Sequence, residues 1–158
     1  MNGAEQRPPG SFALTANRLD GVSRPAIAAR VPSRLTVRLP FPRHGVFHAF
    51  VALADAPGDH RGSARLRIGV SDDRTYEQLT ELILVPGARR WTELRANLSA
   101  YAGWKWSVFY RPDRVVWRLV LAADAVEGAG ATVLWAEPQI ETDTESAREY
   151  VARRRRLR

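Results

Sequence analysis

Apolar and polar residues alternate along much of this chain, a pattern typical of β-strands with one buried and one solvated face. The clearest run is 33–39, where Leu35, Val37 and Leu39 alternate with polar residues. The run 46–54 is almost wholly apolar, which predicts a strand covered on both sides. The same reasoning predicts further strands at 12–14, 64–70, 76–85, 91–98, 115–123 and 131–140.

Turn-forming residues separate these runs, and no helical period is convincing before residue 142. Pro40 and Pro42 end one strand, and the segments 55–62 and 71–74 are rich in Asp, Gly, Pro and Ser. Eight or nine short strands without intervening helices favour an all-β fold over a parallel α/β sheet. We therefore expect an antiparallel β-sandwich, and we read Trp91, Trp117 and Trp135 as core residues.

The two ends of the chain differ from the middle. Residues 1–11 contain Pro8, Pro9 and few apolar side chains, which predicts a flexible N-terminal arm ahead of a sandwich domain at 12–141. The segment 142–158 predicts a short basic C-terminal helix, in which Thr142 and Glu145 have the spacing of a capping box.

Composition excludes several classes of function. The chain of 158 residues has no cysteine, so disulfides and thiolate nucleophiles are ruled out. It contains no P-loop, dinucleotide-binding or nucleophile-elbow motif, so we expect no enzyme activity. No run approaches the roughly 18 apolar residues of a membrane span, and the start does not resemble a secretory signal, so we expect a cytoplasmic protein. The net charge of +7 is modest, which makes nucleic acid an improbable partner.

The middle of the chain resembles a known family. An apolar strand is followed by R-L-R-I-G-V-S-D-D, then by R-W-T-E-L-R-A-N-L-S-A-Y-A-G, and later by W-A-E-P-Q-I. This succession over 33–140 resembles bacterial galactose-binding-like jelly-roll domains, with matching positions at Trp91, Leu98, Ser99, Tyr101, Gly103, Trp135, Glu137, Pro138 and Ile140. The resemblance implies a jelly-roll sandwich and a carbohydrate-binding module, often attached to a glycan-processing enzyme.

One aromatic cluster is a candidate ligand site. Trp104, Trp106 and Tyr110 fall on one face of a predicted strand, with Lys105 on the other. Exposed tryptophans stack on the apolar faces of sugar rings, whereas buried ones fill the core, and the sequence leaves both alternatives open. We therefore name these four residues as a candidate site for a carbohydrate or glycoconjugate.

Two other sets of side chains suggest partners. Oxygen ligands in loops, namely Asp55 and Asp59 together with Glu137, are candidates for a structural calcium ion. The histidines at 44, 48 and 60 suggest a transition-metal site less strongly.

At the other end, Arg153, Arg154, Arg155 and Arg156 form a basic cluster that could bind an acidic partner protein. The sequence thus predicts a non-catalytic carbohydrate-binding module, for which we consider an accessory role to a glycan-processing enzyme. The alternative is a structural protein–protein interaction subunit that uses the sandwich and the arginine-rich helix.

Overall fold

The computed structural model describes residues 4–39, 41–54, 62–102, 117–127 and 130–156. Ten strands and one helix lie in these ranges. They are β1 (Ala4–Arg7), β2 (Phe12–Leu19), β3 (Val22–Arg30), β4 (Ser33–Arg38), β5 (Val46–Leu53), β6 (Ser63–Ser71), β7 (Tyr76–Leu84), β8 (Thr92–Asn97), β9 (Arg118–Glu127), β10 (Thr132–Glu141) and α1 (Thr144–Arg156).

The strands form two five-stranded antiparallel sheets. Sheet A has the order β1-β4-β9-β6-β7, and sheet B has the order β2-β3-β10-β5-β8. Both sheets contribute to one hydrophobic core, in which Leu66 and Ile68 of sheet A pack with Phe47 and Trp135 of sheet B. The all-β sandwich of jelly-roll type expected from the sequence is therefore confirmed, together with its short C-terminal helix.

The alternating pattern places side chains as expected in the central strands. In β5, Phe47 and Val51 face the core, while His48 and Ala52 on the opposite face are also buried. This strand is thus covered on both sides, as its apolar sequence predicts. Trp135 is 1% exposed and lies in the core, in agreement with the sequence analysis.

The first eleven residues are not simply a flexible arm, because Ala4–Arg7 forms the edge strand β1. It pairs antiparallel with β4, and Ala4 lies opposite Val37. The small side chain of Ala4 packs against the core. A four-residue strand with one alanine carries almost no apolar signal, so its position depends on backbone hydrogen bonds to the neighbouring strand.

The hairpin between β2 and β3 has a turn at Asp20 and Gly21, both with positive φ, of 49° and 75°. Asp-Gly is a favoured pair in such two-residue turns, because both positions require a left-handed backbone. The pairing of β3 with β10 ends at Ala26. The hairpin therefore extends beyond its neighbouring strand.

Helix α1 begins differently from the expected capping box. The Asp143 carboxylate accepts hydrogen bonds from the Ser146 N–H, at 2.8 Å, and from its hydroxyl, at 3.0 Å. These bonds, the backbone one above all, lower the pKa of Asp143. Asp143 rather than Thr142 thus caps the helix, and the sequence prediction was wrong by one residue. No helix in the described ranges has the length and apolar character needed to cross a membrane.

Candidate functional site

The aromatic cluster predicted from the sequence lies outside the described residues. Trp104, Lys105, Trp106 and Tyr110 belong to the segment 103–116, so their role as a sugar platform stays a prediction. Asp55 and Asp59 lie outside as well. The four arginines at 153–156 belong to α1, but their side chains are not described, and their partner role also stays a prediction.

Glu137, the third predicted calcium ligand, is described and already has a partner. It lies at an irregularity of β10 with a φ of 50°, and its carboxylate pairs with the guanidinium of Arg24. Arg24 in turn lies over the Phe50 ring, 3.7 Å from its centroid. In the described part of the chain, no three His, Asp or Glu side chains lie together as metal ligands. The calcium site at Asp55, Asp59 and Glu137 remains a prediction.

The histidines take separate roles where they are described. His48 Nε2 lies 3.0 Å from a Glu93 oxygen, and its Nδ1 lies 3.4 Å from the Gln139 amide nitrogen. His44 is exposed, and its charge helps to lower the pKa of Asp143. His60 lies outside the described residues.

Trp91 lies on the outer face of sheet B rather than in the core, which corrects the sequence interpretation. It packs against a second cluster of small and aliphatic side chains, which includes Ala26, Ala52 and Leu134. Its indole Nε1 donates a hydrogen bond to the carbonyl of Val22, at 3.2 Å. The alanines leave room above the sheet for the large indole, so Trp91 is held in place while part of it stays in contact with solvent.

This hydrogen bond, together with Leu19 in the same cluster, places the end of the β2–β3 hairpin over the outer face of sheet B. Trp91 directly precedes β8, and Val22 begins β3, so two strands lie between them. Three spacings of about 4.8 Å put these strands roughly 14 Å apart in a flat sheet, further than one side chain reaches. The free end of the β2–β3 hairpin must therefore bend toward β8. We call this surface the concave face.

A row of polar side chains continues from Trp91 along the concave face. Glu93, Arg95 and Asn97 follow on the same side of β8, as the alternating sequence predicts, while Leu94 and Ala96 are buried. Arg95 donates to Glu93 at 3.0 Å and to Glu141 of β10 at 2.7 Å. The hydrogen bond to Glu93 and the charge of Glu141 raise the pKa of Arg95.

The polar row keeps spare hydrogen-bonding capacity. The side chains of Glu93 and Glu141 are each 46% exposed, and Asn97 and Gln139 are also exposed. A carboxylate offers about four lone-pair sites, of which Arg95 takes one on each of Glu93 and Glu141 and His48 at most one more on Glu93. These groups can therefore accept and donate further hydrogen bonds to a polar molecule that contacts Trp91.

The outer face of sheet A carries a different aromatic residue. The ring of Tyr76 lies directly over Gly69, where an added Cβ would be 2.5 Å from ring atom Cε2. Arg34 approaches the same ring, 5.4 Å from its centroid. Burial raises the pKa of Tyr76, so its hydroxyl is neutral at pH 7. We call this surface the Tyr76 face.

Charged groups on the Tyr76 face form separate pairs. Arg67 donates to Asp124 through Nε, at 3.1 Å, and through Nη2. Arg118 pairs with Asp73.

The adjacent carboxylates of the 71–74 turn have structural roles, as their sequence suggests. Asp72 accepts hydrogen bonds from the backbone N–H groups of Arg74 and Thr75, at 3.0 and 2.8 Å, and that from Thr75 contributes most to the lowered pKa of Asp72.

Sequence reasoning missed several members of the concave face. His48 lies on β5, next to β8, and Gln139 and Glu141 lie on β10, one strand further; cross-strand pairing brings His48 opposite both Arg95 and Gln139. His48, a polar residue within the apolar run 46–54, was the available signal of these contacts in the sequence. Its meaning depends on strand order, which the alternation does not provide.

By sequence, the chain matches no protein-family model and no curated protein. Its fold is nevertheless similar to that of solved carbohydrate-binding modules. One is the CBM51-2 and INT domains of Clostridium perfringens ZmpB, with a TM-score of 0.56 and 13% identity over 88% of this chain. Another is TmCBM61, solved with β-1,4-galactotriose, with a TM-score of 0.53 and 10% identity over 89% of this chain.

A third similar structure is the CBM22-1 xylan-binding domain of Paenibacillus barcinonensis Xyn10C, with a TM-score of 0.53 and 17% identity over 89% of this chain. The chain spans 29% of the ZmpB structure, 87% of TmCBM61 and 86% of the Xyn10C domain. These likenesses establish a shared jelly-roll fold with carbohydrate-binding modules.

Proposed function

We propose that this chain is a non-catalytic carbohydrate-binding module and that it binds a glycan on its concave face. One observation carries the proposal: on the outer face of sheet B, a partly exposed tryptophan adjoins a row of polar side chains in which Arg95 bonds both Glu93 and Glu141. The fold shared with carbohydrate-binding modules supports this choice of ligand class.

Each part of the concave face suits a sugar. The apolar face of a pyranose ring can stack on the indole of Trp91, which removes apolar area from water on both sides. A hydroxyl beyond the stacked ring can donate to Glu93 or Glu141 and accept from Arg95. Hydrogen bonds with charged partners are roughly twice as strong as neutral ones.

Pre-organisation favours binding on this face. Trp91 is fixed by its bond to Val22, and Arg95 is held by two carboxylates. Because these side chains are already ordered, a ligand need not order them, which lowers the entropic cost of binding. The concave shape suits an oligosaccharide that occupies both Trp91 and the polar row.

We also propose an accessory role, in which the module holds a glycan-processing enzyme near its substrate. The basic cluster Arg153–Arg156 is the candidate contact for such an enzyme. Affinity purification with the native chain, beside a chain in which the four arginines are replaced by serine, tests this role. The expected result is a glycan-processing enzyme that is retained by the native chain and lost from the variant.

A glycan-array screen tests the binding function. Wild type is compared with Trp91→Ala, with Tyr76→Ala as the matched aromatic control, and with Trp104→Ala for the cluster predicted from sequence. Selective binding that is lost only in Trp91→Ala supports the concave face. Binding that is lost only in Trp104→Ala moves the site to that cluster.

Two further readouts belong to the same screen. Repeating it with a calcium chelator tests the predicted calcium ion. A folded wild type that binds no glycan contradicts the proposed function and favours a protein-interaction role.

A further inference from the structure

An apolar cavity of about 600 Å³ lies between the two sheets, and Gln139 of the concave face is among the residues that line it. Leu35 and Val37 of β4 line it from sheet A, and Ile27 and Phe47 line it from sheet B. Helix α1 closes part of it with Ala147 and Val151, two side chains too small to fill the space. Its volume falls within the range of small-molecule sites, roughly 300–1,000 Å³.

Several lining residues are less buried than core residues of the same type. Ile27, Val37 and Ile140 face the core but remain only partly buried. Leu14 lies opposite Ile27 on the same face of sheet B and is 79% exposed. The cavity is therefore open to solvent beside its partly buried lining residues, where a ligand can enter.

One polar atom distinguishes this cavity from a packing defect. The hydroxyl oxygen of Thr142 is buried, has no hydrogen-bond partner in the described part of the chain, and belongs to a residue that lines the cavity. Buried hydroxyls almost always have a partner, so this one needs an explanation. Asp143 rather than Thr142 caps α1, which leaves the threonine hydroxyl available for another group.

The shape and polarity of the cavity restrict the ligand. Packed sheets are about 10 Å apart, so the space between them is narrow and suits a single aliphatic chain. No cation is among the described residues that line the cavity, and burial of an unpaired carboxylate is costly. A ligand with one neutral oxygen-bearing end is thus preferred over its carboxylate counterpart.

We propose that this cavity binds a single-chain aliphatic alcohol, with the chain between the sheets and the hydroxyl bonded to Thr142. The bound chain supplies contacts that the lining residues lack when the space is empty. Binding therefore stabilises the fold, and the effect grows with chain length until the cavity is full. Among the described residues this site shares only Gln139 with the proposed glycan site, so either proposal can fail without the other.

The test measures thermal stability and affinity with octanol, decanol and dodecanol, each below its aggregation limit, beside decanoate. Decanol is expected to bind saturably and to raise Tm, more than octanol and more than decanoate. Thr142→Val is expected to weaken decanol binding about five- to tenfold, as the loss of one hydrogen bond predicts. The affinity for decane, a control ligand without a hydroxyl group, is expected to change little.

Two variants fill the cavity from opposite sides, so that a folding failure in one does not decide the outcome. Ala147→Phe on α1 and Val37→Phe on β4 are both expected to abolish binding. Ala152→Phe, at an exposed position of the same helix, is the matched control and is expected to bind normally. Failure of folded wild type to bind any of the alcohols would overturn the proposal, as would binding that survives both filling variants.

Discussion

The two outer faces of the sandwich use aromatic residues in different ways. On the Tyr76 face, the ring lies on Gly69, and the nearby charges form separate pairs between Arg67 and Asp124 and between Arg118 and Asp73. An aromatic ring over a strand glycine supplies the packing that the glycine lacks. The arrangement is therefore explained by the stability of sheet A.

On the concave face, the aromatic residue adjoins groups that can still form hydrogen bonds. Arg95 joins two carboxylates, both about half exposed, and Gln139 and Asn97 lie nearby. The comparison teaches that an exposed ring alone does not identify a binding site. The concave face differs in that its ring is fixed by a hydrogen bond and adjoins an arginine that joins two carboxylates.

Replacement of Trp91 gives the largest expected effect on binding. Trp91→Ala should weaken glycan binding by about 30-fold or more, since truncating a central tryptophan typically costs at least about 2 kcal/mol. Tyr76→Ala should change affinity less than about twofold if the Tyr76 face is structural, as surface changes away from a site usually do. Isothermal titration calorimetry with the best glycan from the array measures both affinities. Similar losses of affinity in the two variants would contradict the proposal that the glycan binds the concave face and not the Tyr76 face.

Removal of Arg95 should have a smaller effect. Arg95→Ala should lower affinity about tenfold, because the row loses its cationic donor and the position of both carboxylates. Arg95→Lys should recover only part of the affinity, since lysine lacks the planar fork that bonds two partners. The matched control is Arg67→Ala on the Tyr76 face, which should bind like wild type. Calorimetry with the same glycan measures these affinities. Equal losses of affinity in Arg95→Ala and Arg67→Ala would refute the assignment of the glycan site to the concave face.

A change beneath Tyr76 should affect stability but leave binding intact. In Gly69→Ala, the new Cβ would meet the Glu77 carbonyl oxygen and the Tyr76 ring at 2.5 Å. We expect a loss of about 1–3 kcal/mol in the free energy of unfolding, measured by denaturant titration. Adding Tyr76→Ala should recover only part of this loss, because the backbone carbonyl remains. A stable Gly69→Ala with impaired glycan binding would reverse the roles of the two faces.

The smallest expected effect is a pH dependence of stability that comes from Tyr101, which follows β8 near the edge where the sheets meet. Burial and then its hydrogen bond to Glu77 raise the pKa of Tyr101 to about 12. An unfolded tyrosine ionises near 10. Its contribution to stability is therefore complete below about pH 10 and is lost as pH rises from there through about 12.

Ultraviolet absorbance titration of wild type and Tyr101→Phe checks this value. The variant should lose the highest-pH step, and Glu77→Gln should move that step to lower pH. If the two proteins differ only by a step near pH 10, the interaction with Glu77 is refuted.

The sequence predicted those parts of the fold that depend on local alternation. The strands around 33–38, 63–71 and 92–97 were recognised because one face is buried and the other is polar. Strand β1 was missed because its stability comes from pairing with β4. Trp91 was assigned to the core because hydrophobicity alone does not tell which sheet face a tryptophan covers.

The candidate site depends on strand order more than on any motif. The side of β8 that carries Glu93 and Arg95 followed from alternation. Their contacts with Glu141 and His48 required β5 to lie between β8 and β10. The cavity beneath α1 was beyond sequence reasoning, because it results from how two sheets and small helix residues fail to fill the space between them.

Chemical-shift mapping with the best array glycan tests the central claim most directly. We predict that titration shifts the indole N–H of Trp91 and the side-chain amides of Asn97 and Gln139, with the Gly69 and Tyr76 amides unmoved. These probes report on the two faces in one experiment and need no substitution. Shifts that cluster at Gly69 and Tyr76, with the Trp91 indole unmoved, would contradict the assignment of the concave face as the glycan-binding site.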